Sequence, residues 1–99
     1  MTTKVLNLFG LAMRAGKVKT GEDIVLMTIR NNQAKLVVLA SDAGINTTKR
    51  ITDKSAFYNV PLIHEFSSEA ISNAIGKTNR KVIVITDPAF CKMIIEAME

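Results

Sequence analysis

The run Lys35-Leu36-Val37-Val38-Leu39-Ala40 decides how this chain is read. Five consecutive apolar residues follow one lysine, with none of the 3.6-residue spacing of a surface helix. A short unbroken apolar run of this kind is a strand covered on both faces. Val82-Ile83-Val84-Ile85 is a second such run. Two strands buried on both faces require helices above and below the sheet, so the sequence predicts a three-layer α/β/α sandwich.

Outward from these runs the pattern is helix and strand in alternation. Val5, Leu8, Phe9 and Ala12 fall at helical spacing, with Thr2 or Thr3 as cap and Gly16 as the C-terminal stop. Lys17 to Lys19 reads as a short strand. A second helix is expected from about Gly21 to Asn31, with Ile24, Val25, Thr28 and Ile29 on its buried side. After the central strand, Asn46 is placed to cap a third helix running to about Tyr58. Val60 to His64 reads as a third strand, and Pro61 near its start marks it as a sheet edge. Ser67 caps a fourth helix, with Phe66 and Ile71 placed for a hydrophobic staple and Gly76 at its end. Asp87-Pro88 opens the last helix, because proline is tolerated where the helix has no N–H to satisfy. No internal repeat, linker or low-complexity segment interrupts this order, and 99 residues make one domain.

Composition narrows the function classes. The chain is 47% hydrophobic and 22% charged, which is globular rather than disordered. Cys91 is its single cysteine, so a disulfide framework and a thiolate metal cluster are both excluded. That usage, with no long apolar run and no signal peptide pattern, predicts a cytoplasmic protein without a membrane span. Thirteen Lys and Arg against nine Asp and Glu give a net charge of +4. The excess is compatible with a nucleic-acid partner, but the placement of the charges matters more than their sum.

Catalysis finds little support. His64 is the only histidine, and its neighbour Glu65 points to the opposite face of a strand. No serine stands in a nucleophile elbow, and Cys91 on an apolar helix reads as core. Ser41-Asp42 and Asp87 are too few carboxylates for a metal site, and Asp87 is better explained as a cap. Neither Gly16-Lys17 nor Gly76-Lys77 has the upstream glycine and downstream Ser or Thr of a phosphate loop. The expectation is a protein that is no enzyme and carries no cofactor and no metal.

Two stretches carry a binding signal. In Gly16 to Met27, Thr20 is placed as an N-cap and Asp23 three residues on resembles the partner of a capping box. A helix start offers unpaired N–H groups and partial positive charge to an anion, Gly21 lets another backbone approach, and Arg14, Lys17 and Lys19 lie just upstream. The same residues also suit an ordinary strand-to-helix turn with solvated lysines. Lys77-Thr78-Asn79-Arg80-Lys81 is the densest basic loop, able to neutralise phosphates, with Asn79 able to reach a phosphate or a base edge. Stacking platforms are missing, because Phe9, Phe57, Tyr58, Phe66 and Phe90 mostly fall at core spacing.

Gly16-Lys17 with Thr20-Gly21, then Gln33 to Ala40, then Ala74-Ile75-Gly76-Lys77 together resemble the ribosomal protein family called L-seven-Ae. Ile85-Thr86-Asp87-Pro88 is similar to its bacterial YlxQ-type branch. The resemblance implies a mixed four-stranded sheet in order 1-4-2-3 with strand 4 antiparallel, and binding of structured RNA, typically kink-turns. It implies that the Thr20–Asp23 helix start, the Ser41–Asn46 loop and the Lys77–Lys81 loop converge on one edge. The residues so implied in RNA contact are Arg14, Lys17, Thr20, Gly21, Glu22, Asp23, Met27, Asp42, Lys77, Asn79, Arg80 and Lys81. Against the family's reading signature, Asp23 accepts but cannot donate, Ile24 does neither, and Met27 lacks the usual positive charge. Each missing bidentate base contact is worth about 1–3 kcal/mol of discrimination. The implied partner is structured RNA, of the ribosome or of a messenger, met by a protein that is monomeric when free. A protein-interaction module on the same fold, or the RNA-binding subunit of a modifying assembly, are the alternatives.

Overall fold

A computed structural model describes residues 2–99. Five helices and four strands follow in the order α1 (Thr2–Arg14), β1 (Val18–Thr20), α2 (Glu22–Arg30), β2 (Leu36–Leu39), α3 (Ile45–Phe57), β3 (Leu62–Ile63), α4 (Ser68–Ile75), β4 (Val82–Ile85) and α5 (Pro88–Met98). The sheet order is β1-β4-β2-β3. β4 runs antiparallel to β1 and β2, while β2 and β3 are parallel.

Every residue of β2 and β4 is buried, and their side chains divide between two cores. Leu36, Val38, Ala40, Ile83 and Ile85 face one layer, where they meet Val5, Phe9, Ile71, Ile75 and Ile94 of α1, α4 and α5. Val37, Leu39, Val82 and Val84 face the other, against Val25 and Ile29 of α2 and Ile51 of α3. Alternation along a strand sends successive side chains to opposite layers, which is why both runs must be apolar throughout. The three-layer α/β/α sandwich with a four-stranded mixed sheet is therefore the observed architecture.

The register fixes which loops meet. Thr20 pairs with Ile83 and Leu39 with Val82. Beyond these pairs, Gly21 N–H donates to Val82 O at 3.4 Å and Ala40 N–H to Lys81 O at 2.8 Å. The ends of β1 and β2 and the start of β4 thus share one end of the sheet.

Several expected boundaries shift. α2 begins at Glu22 with Gly21 as its N-cap, so Thr20 does not cap it and the Thr20–Asp23 capping box does not form. Thr20 is held in β1 by its pairing with Ile83, one residue too early to reach the first turn. α3 starts after Gly44 rather than at Asn46. β3 is confined to two residues, with Val60, Pro61 and His64 outside it, although Pro61 O still accepts from Val37 N–H at 2.9 Å. Thr2 and Thr3 lie within α1 rather than before it. Ile24 is 51% exposed, because Val25, Thr28 and Ile29 form the stripe that faces the sheet and Ile24 lies to one side. Phe57 is also on the surface. The caps of α4 and α5 stand as read: Ser67 Oγ accepts from Ala70 N–H at 3.1 Å and Asp87 Oδ2 from Phe90 N–H at 3.0 Å. Among the described residues no helix is long and apolar enough to cross a membrane.

Candidate nucleic-acid interface

At the shared end of the sheet, three segments lie side by side. The first is the start of α2. Gly21 adopts φ 98° and ψ 140°, a backbone conformation that L side chains rarely adopt, and no side chain caps the helix behind it. An uncapped start leaves N–H donors and the positive end of the helix dipole facing outward. Asp23 is exposed beside it, and Ile24 and Met27 are 51% and 54% exposed on the same helix.

The second segment is the loop after β2. Both oxygens of Asp42 are engaged by Ser68, whose N–H and hydroxyl each donate at 2.8 Å. The backbone N–H of Ser68, then its hydroxyl, hold the Asp42 carboxyl below its ordinary pKa. Asp42 therefore ties the β2 loop to the start of α4, a geometry that employs its acceptors inside the chain.

The third segment is the loop from α4 to β4. Gly76 closes α4 at φ 71°, and Asn79 also takes a positive φ of 54°. Buried Ser72 anchors the far side: its Oγ accepts from Arg80 N–H at 2.8 Å. Lys81 Nζ donates to Ser68 Oγ at 3.4 Å, which connects this loop to the Asp42 pair. Lys77, Asn79 and Lys81 are exposed, whereas Arg80 is half-buried. The Arg80 Nε is buried without a hydrogen-bond partner among the described residues.

Glu22 sits inside the first segment but turns away from the open helix start. It accepts from Thr47 Oγ1 at 2.6 Å and from Arg50 Nε. The Arg50 hydrogen bond, then that of Thr47, lowers its pKa, and Glu22 in return raises that of Arg50. Its carboxylate joins α2 to α3 rather than standing free for a partner.

Of the twelve residues singled out in the sequence, Thr20, Gly21, Asp23, Asp42, Lys77, Asn79, Arg80 and Lys81 are brought to this end, with Met27 one turn along α2 and Glu22 turned toward α3. Arg14 and Lys17 are not. Lys17 precedes β1, where its carbonyl accepts from Thr86 N–H at 2.9 Å, at the opposite end of the strand. Three strand residues separate it from Gly21, and the four steps between them span about 13 Å at the usual rise per residue. Arg14 lines a separate hollow between α1 and α4 with Asn7, Gly10 and Asn73. Both lie close to Gly21 in sequence, and the intervening strand carries them away. Thr47, Arg50, Ser68 and Ser72 were absent from the expected site. Their signal is tertiary, since each acts on a group at least eight residues away.

Among the described residues no group of three or more His, Cys, Asp and Glu is placed to hold a metal. His64 is exposed outside the strand. Cys91 is part-buried with its thiol donating to Lys35 O at 3.3 Å, and burial raises its pKa. That disfavours the thiolate a nucleophile requires.

The sheet order and the shared end define a class of protein: a small α/β/α module that presents an open helix start and a basic loop on one edge. The chain belongs to the ribosomal protein L7Ae/L30e/S12e/Gadd45 family, which it matches over residues 3–96. It is 49% identical over 97% of its length to RNA-binding protein YlxQ of Enterococcus faecium, covering 92% of that protein. It is 45% identical over 93% of its length to RNA-binding protein YlxQ of Bacillus subtilis (strain 168), again covering 92%. Among solved structures, a protein with unknown function from Bacillus halodurans C superposes with a TM-score of 0.91, at 40% identity and 94% coverage of both chains. The Giardia lamblia 15.5kD RNA binding protein shares the fold, with a TM-score of 0.84 at 21% identity, over 96% of this chain and 84% of that one.

Proposed function

We propose that this chain binds structured RNA through the edge formed by the α2 start and the Lys77–Lys81 loop, without catalysing a reaction. The observation that carries the reading is the juxtaposition of an uncapped helix N-terminus with a loop of three cations at the same end of one sheet. Backbone N–H groups there suit phosphate oxygens, and Lys77, Arg80 and Lys81 supply countercharge on the other side of the bend. Asp23 is the residue on this edge suited to accept from a base, such as the amino group of a guanine. The names of the two YlxQ relatives support RNA as the partner class. A kink-turn or a bent segment of ribosomal RNA is the substrate this shape fits, because its two arms would meet the helix start and the basic loop together.

Titration of a kink-turn RNA and of a straight duplex, at several salt concentrations, tests this. The kink-turn is expected to bind more tightly. Neutralising about three phosphates gives a log–log salt slope of roughly −2 to −3. Equal weak affinity for both RNAs removes kink-turn recognition, and indifference to salt removes the phosphate contacts. A second reading rests on Ile24 and Met27, whose half-exposed side chains make an apolar spot on this edge. Binding of neither RNA would favour that reading, a protein contact on the same surface.

A further inference from the structure

Phe57 is 77% exposed, although the chain has few aromatics and most are placed for a core. Its ring is held edge-on by Tyr58, with centroids 5.1 Å apart and planes at 71°. Around it, Leu26, Arg30, Arg50, Asp53 and Lys54 line one groove between α2 and α3. The groove follows from helical register. Glu22, Leu26 and Arg30 form a stripe on α2 at spacings of four, and Thr47, Arg50, Lys54 and Phe57 form one on α3 at spacings of three and four. Glu22 fastens the two stripes at one end through Thr47 and Arg50. Both helices start where β1 and β2 end. The groove therefore begins just past the Glu22 bridge, one helical turn from the candidate edge, and runs away from it for about 10 Å, the rise over the seven residues from Arg50 to Phe57.

Its chemistry selects a partner. Arg50 is paired with Glu22, and the one acid lining the groove, Asp53, is paired with Lys49 at 3.2 Å, so the charges left over are those of Arg30 and Lys54. Among the described residues neither Arg30 nor Lys54 has an acidic partner within salt-bridge distance. An apolar peptide would cover Phe57 and Leu26 but leave these cations without countercharge. A nucleotide supplies both needs, a flat π-face for the phenyl ring and phosphates for the cations.

We propose that the α2–α3 groove is a second RNA contact that takes an unpaired stretch of the strand leaving the edge. A base stacks on Phe57, its flanking phosphates lie against Arg30 and Lys54, and Glu22 positions Arg50 at the junction of edge and groove. The proposal rests on the RNA reading of the edge, and it departs from it in requiring a single strand.

Fluorescence anisotropy on the full chain tests it with three probes: a blunt kink-turn RNA, the same RNA carrying a short single-stranded oligoadenylate tail at either end, and the oligoadenylate alone. One of the tails is expected to raise affinity. Phe57→Ala is expected to remove that gain, weakening the tailed probe roughly tenfold, in line with what one stacked base contributes. Phe57→Leu is expected to do the same, since it keeps apolar area and loses the flat ring. Arg30→Ala with Lys54→Ala is expected to make the salt slope shallower by about 1.4, the value for two single-strand phosphates. The blunt RNA should be unaffected by all three changes. Thermal unfolding followed by circular dichroism confirms that the variants remain folded. Two results overturn the proposal: a tail that adds nothing in either position, or a Phe57→Leu protein that binds tailed RNA as well as the parent does. Either would leave the groove to a protein partner. Failure of the edge reading is separately visible, because the blunt RNA would then not bind, while binding of oligoadenylate that depends on Phe57 would still sustain the groove.

Discussion

Helix α4 is closed at its N-terminus and helix α2 is open. At α4, Ser67 Oγ accepts from Ala70 N–H and Asp42 from Ser68 N–H, so side chains of the protein itself occupy the first turn. At α2 the capping position is Gly21, which has no side chain to offer, and the nearest acid, Glu22, is turned toward Thr47 and Arg50. The two starts sit at the same end of the molecule, linked through Asp42, Ser68 and Lys81 to one surface. A closed start contributes stability, whereas an open one keeps its donors for something else. The closed α4 also serves the open α2, because it fixes the loop that leads through Arg80 and Lys81 into β4, beside Gly21.

This contrast can be broken from either side. The largest effect is expected at Gly21. Space around it is open, but its φ of 98° strains any residue with a side chain. Gly21→Val should therefore destabilise the fold by about 1–3 kcal/mol, the range for a residue forced into a sparsely populated conformation. Urea denaturation monitored by circular dichroism measures this, and an unchanged midpoint would mean that the α2 start does not depend on that backbone conformation. A smaller effect is expected at α4, where Ser67→Ala removes a working cap and should cost about 1 kcal/mol by the same measurement. The smallest is expected at Thr20. Its side chain caps nothing, so Thr20→Ala should stay within about 0.5 kcal/mol of the parent. A loss at Thr20 as large as that at Ser67 would contradict the open description of α2.

The pairing of Ser67 with Thr20 shows what was legible. Both stand before a helix with an acid or polar residue nearby. Ser67 caps because the chain is free to turn immediately before Ser68. Thr20 fails because its backbone is committed to β1, paired with Ile83. A capping preference describes a residue given its backbone, and a sheet sixty residues away in sequence decided that backbone. Phe57 teaches the same point. Its spacing on α3 fits an apolar stripe, yet the inner face was already filled by Ile51 and Ser55. The aromatic was left on the rim beside Arg30 and Lys54.

The basic residues divide in the same way. The Lys77–Lys81 loop was recognisable from its composition, and it reaches the edge because it leads directly into an antiparallel strand. Arg14 and Lys17 looked equivalent, being nearer to Gly21 in sequence than any residue of that loop. The length of β1 separates them from it. Arg50, twenty-nine residues from Gly21, is in contact with the first residue of α2 through Glu22.

By itself the sequence determined the layers of this protein. Leu36–Leu39 and Val82–Ile85 are apolar at every position, and such strands exclude any arrangement without helices on both faces. It also determined the caps at Ser67 and Asp87, where the hydrogen bond spans three residues and needs no distant partner. Only the tertiary structure decided the edge. Which loops meet depends on strand order and direction, and the pairings of β4 with β1 and β2 join residues more than forty positions apart. Local preference acts over a turn of chain, and the candidate site is assembled across distances that no local preference reaches.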